Sequence, residues 1–162
     1  VTKNLLEQAK FTGLEAPLRV RSLKNPSNKM SKSILDPAGT ILLSDNPKQA
    51  AKKIMGATTD NFAKINYNWD KQSGITNLLQ IYMSLSGESK EQTLSKWQGN
   101  NNYGDFKREL AGTVEAFLTK FQQKRNNIDE SNLIQKLKVS ESKMQEQANA
   151  KLLLVQKAVG LR

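Results

Sequence analysis

From Gly74 almost to its C-terminus, this 162-residue chain repeats its apolar residues every three or four positions, which commits more than half of it to helix. Leu78, Leu79, Ile81, Tyr82 and Leu85 predict a mostly apolar helix closed by Gly87. A short helix near Lys90–Trp97 follows, closed by Gly99 and three asparagines. Over Tyr103–Arg125, residues Phe106, Leu110, Val114, Phe117 and Phe121 form one stripe of a long amphipathic helix, with the phenylalanines in the core. Residues 130–138 predict a brief helix. A last one, about Ser140–Val159, puts Ala148, Leu152, Val155 and Val159 on one face, with Gly160 as a stop.

The first part of the chain is more mixed. Residues 2–10 read as a helix, and Gly13, Pro17 and Pro26 mark loop around the apolar-basic piece Leu18–Leu23. Thr40–Leu43 is a short β-prone run ended by Ser44, Asp45 and Asn46. Asp45 or Asn46 caps a helix over roughly Pro47–Gly56, with Pro47 suited to its first turn. Residues 60–73 are polar, Asn-rich and aperiodic, a loop carrying Tyr67 and Trp69. The fold class is therefore mainly α: a short α/β piece over 1–58, a loop over 59–73, and an antiparallel helical domain over 74–162.

The chain contains neither Cys nor His. Disulfide frameworks, Cys/His zinc sites, thiol nucleophiles and His-dependent acid–base catalysis are excluded together. No metal site is expected. No run of ~18 apolar residues exists to span a bilayer as a helix. Lys and Arg total 25 against 15 acids, a net charge of +10. Residues 1–58 carry ten basic and four acidic groups and 103–162 carry eleven and seven, while 59–102 balances at four and four. A basic surplus of this size points to a polyanion such as a nucleic acid, an anionic membrane or a nucleotide.

The stretch that carries chemistry is Lys29-Met30-Ser31-Lys32-Ser33, in a loop with Pro26 before it and Asp36-Pro37-Ala38-Gly39 after it. Two lysines three apart, separated by a small hydroxyl residue, can gather two ammonium groups and several N–H donors around one phosphate chain. Such groups stabilise the charge that moves onto pyrophosphate when a nucleotide α-phosphate is attacked. Lysine suits a loop that closes during reaction, because a flexible point charge follows the moving phosphates.

Residues 29–33 also match the KMSKS signature of the class I aminoacyl-tRNA synthetases, and the surrounding chain resembles the tryptophan-specific branch. The resemblance runs through Leu42–Pro47, Lys52-Lys53-Ile54 and Ala57-Thr58-Thr59-Asp60. It continues through Gly74-Ile75-Thr76-Asn77-Leu78-Leu79 with Ile81-Tyr82, then Tyr103-Gly104-Asp105-Phe106-Lys107, and ends in Val155–Leu161. It implies the end of a Rossmann-type catalytic domain, including residues 1–23, followed by a helical tRNA-binding domain. By the same resemblance Lys29 and Lys32 are catalytic and contact the ATP triphosphate, Ser31 and Ser33 add donors, and the Met30 backbone lies near the adenine. ATP with Mg²⁺ and L-tryptophan are then the substrates of a full-length homodimeric ligase, and tRNA is its partner. The loop exit departs from the family's pattern, with Ile34-Leu35 intervening before Asp36-Pro37, so no role for Asp36 carries over. The family's H-I-G-H-like turn cannot be present without His, and this chain alone is expected to be inactive.

If the helical domain grips tRNA, the candidate phosphate contacts are Lys107, Arg108, Lys120, Lys124 and Arg125 on or beside the long helix. Lys136, Lys138 and Lys143 form a second cluster. Trp97, Tyr103, Tyr67 and Trp69 are the aromatics placed to meet RNA bases or to serve as anchors. The competing readings are a non-catalytic basic helical RNA-binding protein derived from a synthetase, and an unrelated helical interaction module. Basic balance and Asn/Lys-rich loops suggest a mitochondrial matrix location, with bacterial cytoplasm as the alternative.

Overall fold

The computed structural model describes residues 19–33 and 35–161. The expected helix at 2–10 lies outside them. Five helices occur among the described residues: α1 (Pro47–Met55), α2 (Ser73–Ser86), α3 (Lys90–Trp97), α4 (Tyr103–Asn126) and α5 (Glu130–Ala158). The chain packs as two compact units, residues 1–120 and 121–162.

Local signals set most helix ends. Asn46 accepts hydrogen bonds from the Lys48 and Gln49 amides at the start of α1, and Pro47 occupies its first turn. Asp45 is not the cap; its carboxylate takes the Lys53 ammonium at 2.7 Å instead. Ser89 and Gln92 form a reciprocal capping box on α3. Gly87 ends α2 in the left-handed conformation at φ 76°.

The core of the first unit draws on both the early segment and the helices. Leu23, Ile54 and Ile65 are buried with Ile75, Leu78 and Leu79 of α2 and with Phe106, Leu110 and Val114 of α4. Trp97 joins them, its ring 5.0 Å from that of Phe106 in an edge-on pair. It is a core residue, not an exposed platform.

The α4 stripe turns out differently at its far end. Phe117 is 39% exposed, whereas Leu118 is 1% exposed and takes the core position. The 106–110–114–118 row faces the neighbouring elements, and residue 117 falls at its edge. Two further expectations are corrected. Thr40–Leu43 forms no strand, because no strand lies beside it among the described residues; the Thr40 carbonyl instead accepts the Lys53 ammonium at 2.7 Å. The expected break between 138 and 140 is absent, and α5 runs unbroken through it. No Gly or Pro interrupts this stretch, and Ser140 Oγ donates back to the Lys136 carbonyl in helical register. No residue of α5 is buried.

A short spine, residues 20–24, organises the first unit. Its backbone bridges antiparallel to the start of the signature loop at Arg21 and Lys29. The Leu23 amide donates to the Gly39 carbonyl (2.9 Å), and the Thr58 amide donates to the Leu23 carbonyl (2.8 Å). On the other side α2 grips the spine through one side chain. Asn77, 1% exposed, accepts from the Arg21 amide at 2.9 Å and donates to the Arg21 carbonyl at 3.0 Å. A primary amide carries both a donor and an acceptor, which no aliphatic residue supplies. Gly74, one turn earlier, lets the Thr58 carbonyl approach; a Cβ there would lie 2.4 Å from that oxygen.

Two predictions arise from this packing. Asn77→Leu leaves the Arg21 amide and carbonyl unpaired in the core and lowers unfolding free energy by about 3 kcal/mol. Denaturant unfolding measures it, and a loss below about 1 kcal/mol would show that the clamp is replaceable. The second concerns Tyr82, whose hydroxyl donates to Glu109 at 2.6 Å, with Lys96 ion-paired to the same carboxylate. Burial, then the hydrogen bond to Glu109, pushes the Tyr82 phenol from its ordinary 10.0 up to about 12. The folded state holds this proton more tightly than the unfolded one. Its contribution is thus complete below pH 10 and lost as pH rises toward about 12. Stability should fall across that window, and Tyr82→Phe should make the fall shallower; an unchanged slope would remove Tyr82 as a cause.

Candidate functional site

The signature loop leaves the spine at Lys29 and returns to it at Gly39. Met30 is held at the loop's base, its amide donating to the Val20 carbonyl at 3.1 Å and its side chain packing against the core. That amide is occupied by protein. Residues 31–33 form a turn in which the Ser33 amide donates to Ser31 Oγ at 3.3 Å. Lys29, Lys32 and Ser33 are exposed and Ser31 is half-buried, and none of these residues lies in a helix. Leu35 is 97% exposed. Ile34 lies outside the described residues.

Lys29 and Lys32 do not share one cavity. Lys29 lines a hollow of about 260 Å³ together with Lys24, Asn25 and Asn28. Lys32 lines a second, of about 340 Å³, together with Ser33 and Lys53. The hollows are adjacent, since Ser31, Leu35, Asp36 and Thr40 line both. Four lysines thus surround a shared wall to which two hydroxyl residues, Ser31 and Thr40, belong. Among the described residues no ion pair engages Lys24, Lys29 or Lys32, while Lys53 is paired with Asp45.

The loop exit is tied down by Asp36. Its Oδ2 accepts from Ser22 Oγ at 2.6 Å and its Oδ1 accepts from the Gly39 amide at 2.9 Å. Ser22 Oγ in turn accepts from the Lys24 and Asn25 amides. A Cβ at Gly39 would fall 2.0 Å from Asp36 Oδ2, so only glycine fits the return. Sequence reasoning gave Asp36 no role, and only its spatial neighbour Ser22, fourteen residues earlier, reveals one.

The basic residues expected along the helices separate by environment. Lys107 points inward, donating to the Ala57 carbonyl at 2.7 Å and to Thr59 Oγ1 at 3.4 Å. Burial, then the neighbouring Lys24, lowers its pKa. Arg108 is exposed and ion-paired with Asp105, one turn back on α4. Lys120 is exposed in the first unit; in the second, Lys124, Arg125, Lys136, Lys138 and Lys143 are exposed. Tyr103 donates to Asp60 at 2.6 Å, which anchors the start of α4 on the Ala57–Asp60 turn. Trp69 lies under the Arg21 guanidinium at 4.2 Å, a cation–π contact that fixes the polar loop to the spine.

A third concavity, about 670 Å³, opens between the polar loop and α3. Lys64, Lys71 and Lys90 line it together with Asn66, Asn68, Gln72 and Gln98, and no carboxylate does. Its aromatic members are Tyr67, with the Lys90 ammonium 4.3 Å from its ring, and Phe62, 62% exposed. Ala63, beside Phe62, is the one non-glycine residue with positive φ (50°) among those described. No group of three or more Asp or Glu side chains gathers among the described residues to hold a metal ion.

Comparison with known proteins matches residues 3–119 to the family of class I tRNA synthetases (W and Y). The chain is 36% identical over 159 residues to the tryptophan–tRNA ligase of Malacoplasma penetrans, covering 98% of itself and 47% of that protein. It is 36% identical over 143 residues to that of Caldanaerobacter subterraneus, covering 88% of itself and 43% of the relative. It therefore spans about half the length of these relatives. A solved structure, tryptophanyl-tRNA synthetase from Mycoplasma pneumoniae, superimposes with a TM-score of 0.76 at 31% identity, over 89% of this chain and 44% of that one. The named organisms are bacteria, which lends no support to the mitochondrial expectation.

Proposed function

Since the chain belongs to the tryptophanyl branch of the class I tRNA synthetases, we propose that it is the part of a tryptophan–tRNA ligase that handles the nucleotide phosphates and tRNA. The observation that carries the phosphate reading is the pair of adjacent hollows walled by Ser31 and Asp36, with Lys29 on one and Lys32 on the other. A polyphosphate laid across that wall meets both ammonium groups without either lysine leaving the loop. In the reaction, a tryptophan carboxylate oxygen bonds to the α-phosphorus of Mg²⁺-ATP, and the α–β bridging bond breaks. Pyrophosphate leaves with the bonding pair, and Lys29 and Lys32 neutralise the charge it gains. A hydroxyl at the 3′ end of tRNA then attacks the carbonyl carbon of the adenylate, the bond from that carbon to the phosphate oxygen breaks, and AMP leaves with the bonding pair. This chain supplies the loop; the preceding half supplies the amino-acid pocket, the remaining nucleotide contacts and the homodimer contact.

For tRNA, the support is the cleft of Lys64, Lys71 and Lys90. A surface free of carboxylates, with amide groups for base edges and Phe62 presented to solvent, has the chemistry of a single-stranded nucleotide site. The exposed Lys120, Lys124, Arg125, Lys136 and Lys138 add to the summed charge.

Tryptophan-dependent ATP–pyrophosphate exchange tests the phosphate reading. The 162 residues alone should show none, and a protein that also carries the preceding half should show it. In that longer protein Lys29→Ala with Lys32→Ala should lower exchange about a hundredfold or more. Undiminished exchange in the double variant would remove the loop's role. For RNA, binding of a tryptophan tRNA transcript should weaken steeply with salt. Replacing Lys64, Lys71 or Lys90 by Ala should each make the log–log slope shallower by about one unit. A slope indifferent to all three would move the tRNA surface elsewhere.

A further inference from the structure

Asp36 stands where a carboxylate is least expected, in the shared wall of two hollows lined by Lys24, Lys29, Lys32 and Lys53. An unrestrained carboxylate there would pair with one of the unpaired lysines and compete with any phosphate. Among the described residues it pairs with none of them. Both of its oxygens are engaged by neutral donors, Ser22 Oγ on one and the Gly39 amide on the other. These partners are the spine and the loop's point of return, so one side chain joins the exit of the loop to the segment that also holds its entrance.

We propose that Asp36 is the positioning residue of the phosphate loop, a latch that sets the loop's return and keeps its own charge turned away from the lysines. The inference rests on the phosphate-binding reading of residues 29–33. Ser22 is its working partner. With Ser22 Oγ gone, one carboxylate oxygen is free to swing toward the lysines; with Asp36 gone, the exit loses its tie to the spine. Either loss weakens phosphate binding by the same device.

The sign of one substitution separates the latch from simple electrostatics. Removing a negative charge beside four lysines should, on charge alone, tighten an anion. The latch demands the reverse.

The test uses the full 162-residue chain and inorganic tripolyphosphate, with affinity read by calorimetry. Asp36→Ala and Ser22→Ala should each raise the Kd by about tenfold. The double variant should be no weaker than either single one, because both break one interaction. Asp36→Asn should restore part of the affinity, since its amide oxygen still accepts from the Gly39 amide, whereas Ser22 Oγ, already accepting from the Lys24 and Asn25 amides, has no lone pair for the new N–H. Hydrogen exchange on the same proteins reads the latch without a ligand: the Gly39 and Leu23 amides should exchange faster in Asp36→Ala and near the parent rate in Asp36→Asn. Tighter or unchanged tripolyphosphate binding in Asp36→Ala overturns the proposal, as does unaltered exchange at Gly39 and Leu23. If the parent chain binds no tripolyphosphate, the phosphate reading of the loop fails; faster exchange in Asp36→Ala then still upholds the tie, and unaltered exchange rejects it.

Discussion

The amide of Asn77 ties helix α2 to the spine of the first unit. It is buried inside α2 and reaches out to the backbone of Arg21, taking one hydrogen bond and giving another. Everything attached to the spine inherits its position from that grip: the loop entrance at Lys29, the loop exit at Gly39 and the turn at Thr58. The polar loop is fastened there too, through Trp69 beneath the Arg21 guanidinium. A helix whose inward face is mostly apolar tolerates this polar group because both ends of its amide are satisfied.

The sequence blocks that carried the family resemblance are mostly joints. Gly74 admits the Thr58 carbonyl, Asn77 clamps Arg21, Tyr103 is tied to Asp60, and Lys107 reaches the Ala57 carbonyl. Apart from the Asn77 clamp, which reaches the spine, each pairs a residue from one block with a backbone or side chain from another. The Ala57–Asp60 turn receives three of them. The residues of the Lys29–Ser33 signature, by contrast, are few and confined to one loop. Positive charge divides in the same way: Lys107 and Lys53 bind carbonyls or carboxylates within the fold, and among the described residues no ion pair engages Lys29 or Lys32.

How much of this was legible in the sequence depended on the range of the interaction that decides each feature. The bounds of α1, α2 and α3 were readable because Asn46-Pro47, Gly87 and the Ser89–Gln92 box act within a turn of themselves. The signature loop was readable as loop chemistry for the same reason. Thr40–Leu43 has strand-forming residues, but a strand requires a neighbour that no local pattern supplies. The continuity of α5 was hidden because polar residues around Ser140 suit a cap as well as an exposed helix face. Lys107 and Phe117 were misplaced because their surroundings are set by residues far along the chain or by the edge of a neighbouring surface. Asp36 acquired meaning only once Ser22 stood beside it.

Rooting both ends of the signature loop on four consecutive positions, residues 20–23, gives it the geometry of a bucket handle. Its feet cannot spread or slide, so any swing over a nucleotide must come from the bow between them. Lys29 stands at one foot and Lys32 on the bow, so the reach of Lys32 is the one that torsions in the bow govern. A change of length within that bow alters how high the handle stands while leaving the rim unchanged. Insertions and deletions in this stretch are therefore a direct way to retune the loop's reach.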